Sequence, residues 1–391
     1  MTSRFWCVAA IVGATVACSS APQQGFGGSG GDGTPGDMAT GDDDGGTSAS
    51  SSSGGSSSGG TSPPVVPGDA AAVKYSDAAS SNYFDTFIPD AEVAQTITLT
   101  ITPFTVAAGD EVFMCQQFSN PFGQDEDLVE MVGQMAAGSH HFFVFNMSPD
   151  TGRSTTAPIG ACPGGGFEFH PFIYLSQQPN LTVTYPQASM GYPLPAANGL
   201  MMNLHYLNTT SAPLTASATI TVTAAKKGVV TTPVGNLFLN NSAITVPANA
   251  APAWYSQNTV PISDHDYYII QSFSHMHLWG TNFEAALGTP ALASTLADDD
   301  AGNPAGSWAS PIYTTTSWSA PPLQYYPMPG IPVASGTAVN WQCYYNSTTT
   351  TLTFGDSAVN NVMCIYFGMY YPVTEDPTSV NYPDIVTGVE L

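Results

Sequence analysis

Hydrophobic and polar residues alternate in short runs along most of this chain. Thr96 to Thr102 reads TITLTIT, a strict alternation. Comparable runs begin at His140 (HHFFVFNM), Leu181 (LTVTY), Met201 (MMNLHYL) and Ala218 (ATITVTA). After Lys226 and Lys227 the pattern resumes with YYIIQSFSHMHLWG from Tyr267, AVNWQCYY from Ala338 and VMCIYFGMYY from Val362. A period of two puts successive side chains on opposite faces of a strand. Pro, Gly and Asn clusters between the runs cut them into short strands. The pattern predicts an all-β protein whose short strands form sandwiches or barrels, in two domains, 71–226 and 227–391. The charged, β-poor stretch from Ala224 to Val230 marks the expected boundary. A short helix is predicted only at 128–137 (LVEMVGQMAA).

The first 70 residues read differently. Residues 19–70 are nearly pure Gly, Ser, Asp, Thr and Pro. Such a composition cannot bury enough apolar surface to offset its ordering entropy, which predicts a flexible linker. Before it, Arg4 precedes an apolar run from Phe5 to Ala17, too short to span a membrane. Residues 1–18 thus read as an export signal. Small residues ahead of Cys18, with Ser19 and Ser20 after it, resemble the bacterial lipoprotein lipobox, although Thr15 stands where that pattern usually has Leu. The resemblance implies lipidation of Cys18, and Ser19 fits outer-membrane sorting. The expected product is exported, held at the outer membrane or cell surface of a bacterium, and touches the membrane through its lipid anchor only. The alternative is an ordinary cleaved signal with Cys18 incidental.

Charge removes several function classes. The net charge is -24, with only Arg4, Lys74, Arg153, Lys226 and Lys227 basic. Nothing here could neutralise phosphates in series, so nucleic acid is excluded as a partner. A polybasic membrane patch is missing as well. Of six cysteines, Cys7 lies in the signal and Cys18 would carry lipid. The even remainder, Cys115, Cys162, Cys343 and Cys364, suggests two disulfides in an exported chain. Three pairings are open, and proximity favours Cys115 with Cys162 and Cys343 with Cys364.

Candidate chemistry lies in the histidines, of which there are seven. Four come as His140-His141 and His275-Met276-His277, and His205 sits inside a strand pattern. Strand residues two apart share a face roughly 6.5–7 Å from each other, so His275 and His277 can converge on one ion. His140 and His141 are adjacent and start on opposite faces. To share a metal they need a strand end or bulge, for which Gly138 and Ser139 offer irregular backbone. A lone strand histidine is ordinarily a core residue; five in such positions shift the balance toward metal. His170, between Phe169 and Pro171, and His265, between Asp264 and Asp266, match no ligand pattern. Trp279 and Trp341 read as core residues.

In this arrangement the chain resembles the type II copper, ascorbate-dependent monooxygenases, from about Asp110 to Tyr371. The segment His140–Phe145 looks like that family's first-copper motif, and Asn203-Leu204-His205-Tyr206 like the strand supplying its third histidine. His275-Met276-His277-Leu278 followed by Gly280 looks like the HxHL motif of the second copper. Val362-Met363-Cys364, followed by Tyr370 and Tyr371, looks like the strand of its methionine ligand. The resemblance implies two consecutive jelly-roll-like β-sandwich domains facing each other across a solvent cleft, with two coppers per chain, one on each. His140, His141 and His205 would hold an electron-relaying copper. His275, His277 and Met363 would hold the hydroxylating copper and form the catalytic set. It also implies O2 and ascorbate, or another one-electron reductant, as co-substrates, and the disulfide pairing that proximity favours. A thioether is a soft ligand that suits Cu(I), and zinc sites seldom use it.

The substrate positions depart from the family. Peptide-amidating members hold a carboxylate with an Arg two before the HxH, an Asn two after the Met and a Tyr four after it. Here these are Phe273, Ile365 and Phe367, and a further pocket tyrosine is matched by Phe113. A buried carboxylate without a partner is costly. The expected function is therefore hydroxylation of a C–H bond in a small, non-peptide, apolar or aromatic molecule. A non-catalytic copper-binding surface lipoprotein needs the same ligands. A metal-free adhesin or carbohydrate-binding sandwich would explain the fold but not the ordered His and Met set.

Overall fold

The computed structural model describes residues 88–162, 171–259, 266–289, 306–373 and 384–388. The chain divides into two units, Met1–Thr61 and Ser62–Leu391, and all of these residues lie in the second. The expected signal, Cys18, the linker, His170 and His265 fall outside the described residues.

Alternation became strand throughout. Along Val93–Thr100 the Ile97 and Leu99 side chains turn inward while Thr96, Thr98 and Thr100 are exposed. Two sheets make the first sandwich. One runs in the order Val93–Thr100, Ala218–Ala225, Glu126–Met135, Met190–Leu194 and Thr232–Pro233, with Asn180–Thr184 also against Glu126–Met135. The other runs Ala157–Ala161, Glu111–Phe118, Gly199–Leu207, Ser139–Met147 and Phe172–Ser176. Thr232 and Pro233 still pair in the first sandwich and Gly235 opens the second, beyond the Lys226–Lys227 boundary expected from composition.

In the second sandwich one sheet is ordered Gln324–Tyr325, Tyr267–Met276, Cys364–Tyr371, Gly235–Asn240 and Asp384–Gly388. The facing sheet runs Ala253–Thr259, Ala338–Tyr345, Gly280–Gly288 and Tyr313–Thr315. The expected disulfides are both present, Cys115–Cys162 and Cys343–Cys364. The second ties the two sheets of its sandwich together, beside a hydrogen bond from Trp341 Nε1 to the Cys364 carbonyl at 3.0 Å.

The helix predicted at 128–137 is instead the strand Glu126–Met135. Leu128, Met131 and Met135 follow a helical spacing, whereas the strand buries Val129, Met131, Gly133 and Met135, and partners decide the outcome. Backbone groups of this segment are paired on both sides, by Ala218–Ala225 and by Asn180–Thr184 with Met190–Leu194. Gly133 also fits the sheet: the Tyr174 ring of the opposite sheet lies where a Cβ would stand, at 2.2 Å. Glycine weakens a helix but here admits a ring between sheets.

The two sandwiches are docked through one face of each. Phe143 and Phe172 of the first meet Phe367 of the second, with ring centroids 5.9 Å and 5.7 Å apart. Tyr325 Oη donates to the Thr182 carbonyl at 2.9 Å, and Gln271 Nε2 donates to the Thr184 carbonyl. Burial of the aromatics supplies most of the attraction, and the hydrogen bonds fix the register.

Candidate metal centre

The twin histidines reach one place because the strand is bulged. The ladder pairs His205 with His141 and Tyr206 with Ser139, leaving His140 as the extra residue. Gly138 just before it has φ 91°, a left-handed conformation that suits glycine. A bulge cancels the alternation for one step, so adjacent side chains share a face. His205 lies opposite His141 on one side and opposite Phe113 on the other. Phe113 stacks on its ring at 3.8 Å and 22°.

From the second sandwich, His275 pairs with Ile365 near the end of its strand. The last ladder pair is Met276 with Cys364, so a continued register would set His277 against Met363. Met363 is buried, and its carbonyl accepts a hydrogen bond from Tyr345 Oη.

The resemblance implies two sites across a solvent cleft, but the five histidines here form one cluster. His140 lies 5.0 Å from His205, 5.1 Å from His275 and 5.8 Å from His277 between ring centroids. His141 lies 5.3 Å from His275. None of the five is more than 6% exposed.

Buried imidazoles ordinarily find a partner for each nitrogen. Here His140 Nε2, His141 Nδ1, His275 Nε2 and His277 Nε2 have no hydrogen-bond partner among the described residues. The opposite nitrogens are mostly engaged. His275 Nδ1 is 3.0 Å from Gln177 Oε1, and His277 Nδ1 is 3.3 Å from the Asn361 carbonyl. His205 Nε2 is 2.8 Å from Glu111 Oε1, while its Nδ1 is 3.2 Å from His141 Nε2. A proton held on Nδ1 by a carbonyl leaves the Nε2 lone pair facing the cluster, as metal-bound histidines require. The donor set therefore fits a transition metal that accepts imidazole.

Charge agrees. Burial is the main cause holding His140, His141 and His275 well below the usual imidazole value, and neighbouring rings add to it. His277 is pushed down to about 3, by burial first and then by His205. Burial lowers His205 too, against the pull of Glu111. All five are neutral near pH 7, the form a metal binds.

Glu111 and Gln177 carry no signal in the sequence, because their partners come from tertiary contact. Glu111 accepts from His205, from Ser357 Oγ at 2.7 Å and from the Ala358 N–H at 2.6 Å. The expected substrate residues do not form one pocket. Phe273 and Phe367 line an apolar cavity of about 20 Å³, room for about one water. Phe113 is on His205, and Ile365 is buried opposite His275.

No protein-family profile and no curated protein matches the chain. Among solved structures it is similar to the major capsid protein P2 of bacteriophage PM2, at 10% identity and TM-score 0.26, covering 71% of this chain and 97% of that one. It is similar to PNGF-II at 12% identity and TM-score 0.25, covering 70% and 64%. The infectious bursal disease virus VP2 subviral particle gives 7% identity and TM-score 0.18, covering 72% and 74%. Likeness this slight carries no functional argument.

The carboxylate of Glu111 yields a pH prediction. Burial alone would raise its pKa, but hydrogen bonds from His205, Ser357 and Ala358 outweigh it and bring the value from 4.5 to about 2. The ionised form therefore stabilises the fold above pH 4.5, and that contribution is lost as pH falls through about 2. Metal-free wild type should exceed Glu111→Gln by about 1–2 kcal/mol at neutral pH, after allowance for solvent screening. Urea unfolding of both proteins at pH 7 and pH 3 should show the gap narrowing; a gap independent of pH would contradict the assignment.

Proposed function

We propose that this protein is a copper-dependent monooxygenase that hydroxylates a C–H bond of a small apolar molecule, using O2 and an external one-electron reductant such as ascorbate. The observation that carries the reading is the cluster of five buried, neutral imidazoles, four of whose nitrogens lack a partner among the described residues. The resemblance of the His140, His205, His275 and Met363 segments to the copper monooxygenases supplies the choice of metal and reaction. Bound copper would supply one-electron redox chemistry and activation of O2. The chain's own residues would hold the ion and shield it: Gln177 and Asn361 fix the ring protons of His275 and His277, and the packed phenylalanines exclude water. Leu278, directly after His277, is the large apolar side chain exposed among the described residues, at 39%. It supports an apolar substrate approaching from that side.

A second reading, a non-catalytic copper-binding surface protein, is favoured by the burial of every ring in the cluster. Purified full-length protein should bind about two coppers per chain, fewer after His275→Ala. With ascorbate it should consume O2 faster when apolar or aromatic compounds are added, and not with glycine-extended peptides. Bound copper without substrate-coupled O2 uptake would favour the second reading; no stoichiometric copper would defeat both.

We also propose export and lipid anchoring at Cys18. Fatty-acid labelling in a bacterial host should mark wild type and not Cys18→Ala, and equal or absent labelling would sink the idea.

A further inference from the structure

The histidines of the cluster group across the two sandwiches rather than within them. Ligating nitrogens of His140, from the first sandwich, and of His275 and His277, from the second, all lie within 4.8 Å of one another. In each of these three rings Nε2 is buried without a partner among the described residues. His141 and His205 behave differently: they engage each other at 3.2 Å, and His205 is tied back to Glu111 at 2.8 Å.

The rings of the second sandwich are also oriented by the first. Gln177 Nε2 donates to the Trp318 carbonyl at 3.0 Å, which turns Oε1 toward His275. An amide fixed at both ends presents only its acceptor, so His275 keeps its proton on Nδ1 and its lone pair on Nε2. His277 receives the same service from the Asn361 carbonyl. The loop that carries Asn361 is in turn held to the first sandwich by Glu111, through Ser357 and Ala358.

We infer that, with the sandwiches docked, one metal ion is held by His140, His275 and His277, a three-imidazole site shared between them, with Gln177 as its positioning residue from across the junction. This rests on the reading of the cluster as a metal centre. It gives His140 the place that the resemblance gives to Met363. Three neutral imidazoles suit copper or zinc. Because the site is complete only in the docked form, an ion bound there stabilises docking by mass action.

The test uses the full-length, disulfide-intact protein carrying His141→Ala and His205→Ala, which leaves the shared group alone. Copper(I) is titrated against a chromophoric chelator. The background should bind one ion per chain. Adding Gln177→Leu should weaken binding roughly ten- to hundredfold. Adding His140→Ala should weaken it further, whereas Met363→Leu should change it by less than about threefold. The reverse order, with Met363→Leu damaging and His140→Ala harmless, would overturn the inference while leaving the metal reading intact. Uptake by neither wild type nor the background would overturn both. Folding of the variants does not limit the test, since wild type loaded with one equivalent of copper(I) gives its own answer by X-ray absorption. Nitrogen scatterers alone at about 2.0 Å support the shared site, and a sulfur scatterer at about 2.3 Å contradicts it.

Discussion

Unpaired nitrogen atoms in a dry interior are the constraint around which this molecule is arranged. A buried polar atom without a hydrogen bond costs free energy. A packed core removes such atoms by substitution with apolar side chains of similar shape. Four of them stand in one cluster here, among the described residues; the other nitrogens of His275 and His277 are held by carbonyl oxygens and that of His141 by His205. Aimed lone pairs on oriented, neutral rings are what an ion would use, and packing alone does not call for them.

The surrounding fold keeps those rings in place by making the two sandwiches depend on each other. Phe143, Phe172 and Phe367 give the junction its apolar floor. Above it, Glu111 reaches from the first sandwich to a loop of the second, and Gln177 reaches to His275. The first sandwich thus orients His275, which it does not carry, and steadies the loop behind His277. The disulfide Cys343–Cys364 and the Trp341 hydrogen bond stiffen the strand beside the cluster, so the ladder end near His277 rests on a rigid element.

Much of this was legible in the chain. Two-residue alternation located the strands, and the run HHFFVFNM after Gly138 and Ser139 already required irregular backbone if both histidines were to share a face. The bulge at His140 meets that requirement. The segment 128–137 was misleading because the spacing of Leu128, Met131 and Met135 is helical, and pairing on both flanks makes it a strand that buries Val129, Met131 and Met135. Glu111, Gln177 and Asn361 were not legible, since a hydrogen bond between residues 84 to 98 positions apart leaves no local pattern. The expected separation of two metal sites came from resemblance, and the docked face with its phenylalanines replaces that spacing by one cluster.

Imidazole nitrogen NMR of the full-length chain, labelled with 15N-histidine and titrated with diamagnetic copper(I), addresses the centre most directly. The chain has seven histidines. The ring nitrogens of His140, His141, His205, His275 and His277 should move together and stop at a stoichiometric endpoint, while those of His170 and His265 stay in place. Shifts confined to His170 and His265, or none at all, would contradict a metal centre at the junction.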